Sequence, residues 1–191
     1  MLTKQLMNAH KFSSLVGTDL VPYSYPNAWA IEKTSGPDLL VIAPFSDQIG
    51  LMTKLARVLP EPFGILYVLL VSRRDNDPGR YQCPSPCDRV EMESFLREFK
   101  EYFESDGRHH IWLASVPASA TLVYDQHDVI YAYGPLAQYK KILLGEGLRE
   151  NPISFPAPHA HNYNQQFDEQ EQRVLDYWDW RKSPLTPDDE A

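Results

Sequence analysis

Two strand-sized apolar runs flank one amphipathic helical segment, and this pattern limits what the chain can fold into. Leu39-Leu-Val-Ile-Ala43 and Ile65-Leu-Tyr-Val-Leu-Leu-Val71 are continuously apolar, which predicts strands buried on both faces. Between them Ile49, Met52, Leu55, Ala56 and Leu59 recur at helical spacing, and Pro60 stops the repeat. Ser46 reads as the helix N-cap and Asp47 as an acid in its first turn. A buried strand, a helix and a second buried strand predict a right-handed βαβ crossover with parallel strands.

The same reading extends along the chain. Residues 2–12 form a short helix and Asn27 to Lys33 a strand. Asp88 with Glu91 makes a capping box, and Met92, Phe95, Leu96, Phe99, Tyr102 and Phe103 line one face of a helix over Arg89 to Ser105. His110 to Val116 is a strand, and Thr121 to Asp125 and Asp128 to Tyr133 are two more, joined through Gln126 and His127. Pro135 opens a further helix, and Phe167 to Trp180 forms a C-terminal one. The expected architecture is one α/β domain over residues 1–182. It has a mixed sheet with a parallel βαβαβ core, an antiparallel edge meander and the C-terminal helix packed on it. Residues 183–191 are expected to be a disordered acidic tail.

Charge and composition restrict the function. The net charge is −8, of which residues 167–191 carry −5. No basic stripe offsets this, so duplex nucleic acid is a poor partner. No apolar run approaches the roughly 18–20 residues that span a bilayer, and the N-terminus has no secretory pattern, so a cytoplasmic location is expected. Cys83 and Cys87 supply half of a structural zinc site at most, and read as two reduced loop thiols. No cofactor is implied: phosphate-binding glycine loops and the Gly-x-Ser-x-Gly elbow are both missing from the sequence.

Three groups of residues remain as candidates. His159 and His161 lie in Pro156-Ala-Pro-His-Ala-His-Asn-Tyr163, where an extended backbone points both imidazoles the same way. Two ligands do not complete a metal site, and His127, Asp128, Asp168, His109 and His110 are the candidates for a third, with His127 taken into the tentative set. Residues 72–87 read as a long polar loop in which Arg73, Arg74 and Arg80 are suited to gripping an anion, or simply to pairing with nearby acids. Tyr131 and Tyr133 share one strand face. With Trp178 and Trp180 they form a candidate aromatic interface, unless the C-terminal helix covers that face.

Two functional readings follow. The first is a small acidic protein that binds another protein without catalysis, in the manner of regulatory or immunity proteins. That likeness is one of composition, and no motif identifies a family. The second is a metal-dependent or acid–base enzyme that acts on a small anionic substrate through His159, His161 and the arginine-rich 72–87 loop. Oligomeric state is not encoded in any feature of the sequence.

Overall fold

The computed structural model describes residues 9–189. Residues 1–8, which hold most of the expected first helix, lie outside the described residues, as do 190 and 191 of the expected tail. The strands are β1 (Phe12–Val16), β2 (Asp19–Pro22), β3 (Ala28–Glu32), β4 (Leu39–Ala43), β5 (Phe63–Leu69) and β6 (Gly79–Gln82). They continue as β7 (His109–Ser115), β8 (Ala120–Tyr124), β9 (Ile130–Tyr133), β10 (Arg149–Glu150), β11 (His159–His161) and β12 (Arg181–Ser183). The helices are α1 (Gln48–Ala56), α2 (Arg89–Glu98), α3 (Lys100–Ser105), α4 (Leu136–Gly145) and α5 (Asp168–Leu175).

Nine strands form one mixed sheet in the order β10-β3-β4-β9-β8-β7-β5-β6-β12. This corrects the expected parallel βαβαβ core. Only β10 and β3 pair in parallel, and every other ladder in the sheet is antiparallel. β4 and β5 do flank α1 and run the same way, but β9, β8 and β7 are inserted between them. The second crossover fails because the 72–87 segment is not all loop. Its residues Gly79–Gln82 form β6, which turns back along β5, so β7 pairs with β5 antiparallel. Apolar runs report burial on both faces, and burial is the same whichever way the neighbouring strand runs.

Side-chain alternation divides the sheet into two faces. Leu40, Ile42, Ile65, Tyr67, Ile111, Leu113, Leu122, Ile130 and Ala132 share one core with apolar residues of all five helices. Each fully buried Leu, Ile or Phe in such a core contributes roughly 1.5–3 kcal/mol. On the opposite face Leu39, Val41, Ala43 and Val129 pack with Phe12 and Tyr25 beneath a smaller sheet ordered β11-β1-β2. Among the described residues, the rest of that face carries no α-helix, only the short 3-10 turn Pro187–Asp189 at its edge.

The helix ends differ from expectation in instructive ways. Asp88 caps α2 by accepting from the Glu91 amide at 2.8 Å, as its spacing predicts. The long helix then breaks at Phe99 into α2 and α3. At α1 the N-cap is Asp47 rather than Ser46, with φ 61° and no side-chain cap bond. Glu104 of α3 caps it from a distance instead, accepting from the Ile49 amide at 2.8 Å.

The C-terminal region is also revised. α5 is shorter than the predicted helix, and residues 183–189 are ordered on the sheet rather than free: β12 pairs with β6, and the buried Asp189 accepts from Arg80 at 2.6 Å. None of the helices among the described residues is long and apolar enough to cross a membrane.

A candidate metal centre of three histidines

The tip of the β8–β9 hairpin is built by one carboxylate. Asp125 Oδ1 accepts from the amides of His127, at 2.9 Å, and Val129, at 3.1 Å. An Asx turn of this kind lets the chain reverse in four residues, with Asp128 at φ 66°. The second oxygen, Oδ2, accepts from His127 Nδ1 at 2.9 Å and fixes the ring. Burial pushes the Asp125 carboxyl up, but the His127 bond and its charge outweigh this, and the net shift is downward. Asp125 therefore stays an anion behind His127.

β11 brings the other two imidazoles. It pairs antiparallel with β1, setting His161 opposite Phe12 and His159 opposite Ser14. Alternation then puts both imidazoles on the Phe12 side of this ribbon, as the sequence spacing predicts. Gly107 allows β11 to come this close. A methyl group there would stand 3.0 Å from His161 Cβ and 3.0 Å from the Lys11 carbonyl. Gly107 also donates its amide to the Asn162 carbonyl at 2.9 Å, while Asn162 donates to Lys11 at 2.8 Å.

The three rings converge on the buried ring of Phe12. Ring centroids are 4.8 Å apart for His127 and His161, 5.4 Å for His127 and His159, and 5.4 Å for His159 and His161. One ring nitrogen of each lies within 4.8 Å of the others. Ligand nitrogens on a tetrahedral zinc ion, at a bond length near 2.1 Å, stand about 3.4 Å apart. The set is thus within about 1.4 Å of coordination spacing, on an exposed and a half-exposed strand residue and a hairpin tip.

The Nδ1 atoms share a further property. His159 Nδ1 lies 2.8 Å from the Pro156 carbonyl and His161 Nδ1 lies 3.2 Å from the Gln126 carbonyl. With Asp125 on His127, every Nδ1 faces an acceptor oxygen, which selects the Nδ1–H tautomer and leaves Nε2 with a lone pair. Burial, assisted by His127, pushes His161 down to about 4, so it is neutral at ordinary pH.

The other candidates do not join this cluster. Arg73 pairs with Asp168 at 3.2 Å, and Arg80, on β6, pairs with Asp189 at 2.6 Å. Arg74 is exposed, and its amide donates to Ser72. Two of the three arginines therefore serve the C-terminal segment of the chain itself. His110 lies on the helix-free face, while His109 is enclosed by the rings of Tyr67, Tyr102 and Phe103.

The aromatic quartet is divided. Tyr131 and Tyr133 are half-buried on the helix-free face, whereas Trp178 and Trp180 pack against Phe95 on the helical face. The C-terminal helix thus does not cover the two tyrosines. Cys83 and Cys87 are both buried beside β5 rather than presented in a loop, Cys83 accepting from the Ile65 amide at 3.1 Å and Cys87 bridging to Phe63.

Sequence reasoning missed one charged centre. Arg108 is fully buried and donates to Asp106 at 2.7 and 3.0 Å, to Glu171 at 2.7 Å, to Asp168 at 3.0 Å and to the Asn164 carbonyl at 3.0 Å. It ties the start of β7 to α5. Its one sequence signal was an arginine between a helix end and a buried strand. No protein-family model, curated protein or solved structure matches this chain.

Proposed function

We propose that this protein binds a divalent transition-metal ion of the zinc type through Nε2 of His127, His159 and His161. The observation that carries this reading is that each Nδ1 already faces an oxygen, so all three rings are preset in the ligating tautomer. A carboxylate or carbonyl behind a ligating histidine fixes its orientation and raises its basicity. Three protein ligands leave one tetrahedral position for water or substrate, the pattern of catalytic rather than structural zinc. His159 is exposed, so that position is open to solvent. An ion held there by His127, His159 and His161 would supply a Lewis acid able to lower the pKa of a bound water to about 7, which supports metal-assisted hydrolysis as the reaction class.

The test is metal retention by the untagged full chain. Dialysis against zinc followed by elemental analysis is expected to leave one equivalent per chain. Alanine at 127, 159 or 161 is expected to weaken binding by at least about tenfold to a hundredfold, the range seen when support of a metal ligand is lost. His110→Gln serves as the control. Sub-stoichiometric zinc in the parent, or equal retention by the three alanine variants, overturns the reading.

A further inference from the structure

The helix-free face of the large sheet holds a cavity of about 740 Å³. Ligand sites typically measure about 300–1,000 Å³. Strand alternation and register build its floor: Trp112 on β7 lies opposite Val123 on β8, and Val123 lies opposite Tyr131 on β9. His110, Thr121 and Tyr133 extend this floor, and Asp125 and Asp188 add two carboxylates to the lining.

Two polar atoms in this floor lack partners among the described residues. His110 is 6% exposed, and its Nε2 makes no hydrogen bond. The Trp112 Nε1–H is buried and also has no acceptor. A buried polar group left unmet costs about 1–3 kcal/mol. Two of them on neighbouring positions of one strand face, both lining one cavity, mark a place where a ligand supplies the missing partners.

The chemistry of the lining selects a cation. Among the described residues, no lysine or arginine lines this larger cavity. Burial pushes His110 down to about 4, which leaves it uncharged. Asp125 is buried with both oxygens held by His127 and Val129, so the exposed carboxylate of Asp188 is the charge presented, beside the π faces of Trp112, Tyr131 and Tyr133. The chain itself uses this mode nearby: the Arg80 guanidinium lies 5.2 Å from the centre of the Trp112 ring, with its charge matched by Asp189. The shape selects an elongated ligand. An adjoining cavity of about 250 Å³ shares Trp112 and Thr121 and continues over Gly64 and Leu66 of β5, where Arg80, paired with Asp189, also lines it.

We propose that this trough binds an extended peptide segment of a partner protein that carries a lysine or arginine side chain. The cation sits against Tyr131 and Tyr133 within reach of Asp188, and a peptide carbonyl accepts the Trp112 indole proton. The net charge of −8 favours encounter with such a basic partner. The inference is independent of the metal reading and is tested with chelator present.

Four blocked tripeptides, alanine–X–alanine with X as lysine, arginine, norleucine or glutamate, are titrated into the full chain. The Trp112 indole proton is followed by NMR and the heat by calorimetry. The lysine and arginine peptides are expected to saturate a shift at Trp112. Norleucine, which keeps the length of lysine without its charge, and glutamate are expected to bind at least about tenfold more weakly, the size of one or two cation–π contacts. Trp112→Phe and the exposed change Asp188→Asn are each expected to weaken the lysine peptide about fivefold or more. Circular dichroism checks the fold, and Asp188→Asn alone suffices if Trp112→Phe misfolds. Equal binding of all four peptides, preference for glutamate, or no saturable shift up to about 10 mM overturns the proposal.

Discussion

At the residue scale, buried titratable groups decide how the protein responds to pH. His110 takes up a proton near pH 4 in the folded chain because burial disfavours its charged form, against an ordinary value of 6.5. The unfolded chain therefore binds the proton first, and acid favours unfolding. Stability from this group is fully present above pH 6.5 and is lost as pH falls towards 4, by about 3 kcal/mol at about 1.4 kcal/mol per unit. His109 is held well below its ordinary value by burial and acts in the same direction. Urea unfolding of the parent and of His110→Gln between pH 7 and pH 4 is expected to show a shallower decline in the variant. A second residue-scale expectation concerns Cys87, which burial pushes up to about 12. Its thiol is expected to react with iodoacetamide at pH 8 only as fast as the chain unfolds, readable by mass spectrometry with and without urea.

At the element scale, two contacts hold the site's supports in place. Arg108 joins β7 to α5 through Asp106 and Glu171, all three fully buried. Removing the cation leaves two buried carboxylates without their counter-charge, so Arg108→Leu is expected to cost about 3–5 kcal/mol in denaturant unfolding. Arg108→Leu combined with Glu171→Leu is expected to recover part of the loss. Gly107 sets the distance between the start of β7 and β11. Gly107→Ala places a methyl 3.0 Å from His161 Cβ, and is expected to cost about 1–3 kcal/mol and to weaken zinc binding by displacing His161. Calorimetry of the folded variant separates the second effect from the first. The elements themselves were largely legible: β4 falls where the apolar run predicts it, and Asp88 caps α2 as its spacing predicts. β6 was not, because Gly79-Arg-Tyr-Gln82 is a short edge-side strand with neither an apolar run nor clear alternation.

At the scale of the whole molecule, the proposed ion links parts of the chain that are far apart in sequence. It joins β11, which lies on the small sheet, to the β8–β9 hairpin of the large one. An ion bound only by the folded state stabilises by about 2.7 kcal/mol at a hundred times its Kd. For a chain of this length that raises Tm by about 5–10 °C. Differential scanning fluorimetry with zinc and then chelator is expected to show a reversible rise of this size in the parent and none in His161→Ala.

The sequence by itself determined the composition of the layers. Continuous apolar runs select strands, helical spacing selects the helices that cover them, and His-x-His on an extended segment selects two imidazoles on one side. These are local properties, set by side-chain period and backbone preference. Only the tertiary structure decided strand direction, since burial looks alike in parallel and antiparallel neighbours. It alone brought His127 to His159 and His161, through the pairing of β11 with β1. It alone parted Tyr131 and Tyr133 from Trp178 and Trp180, by packing the five α-helices on one face of the sheet. Each of those outcomes depends on contacts between segments distant along the chain, and neither residue type nor local spacing records them.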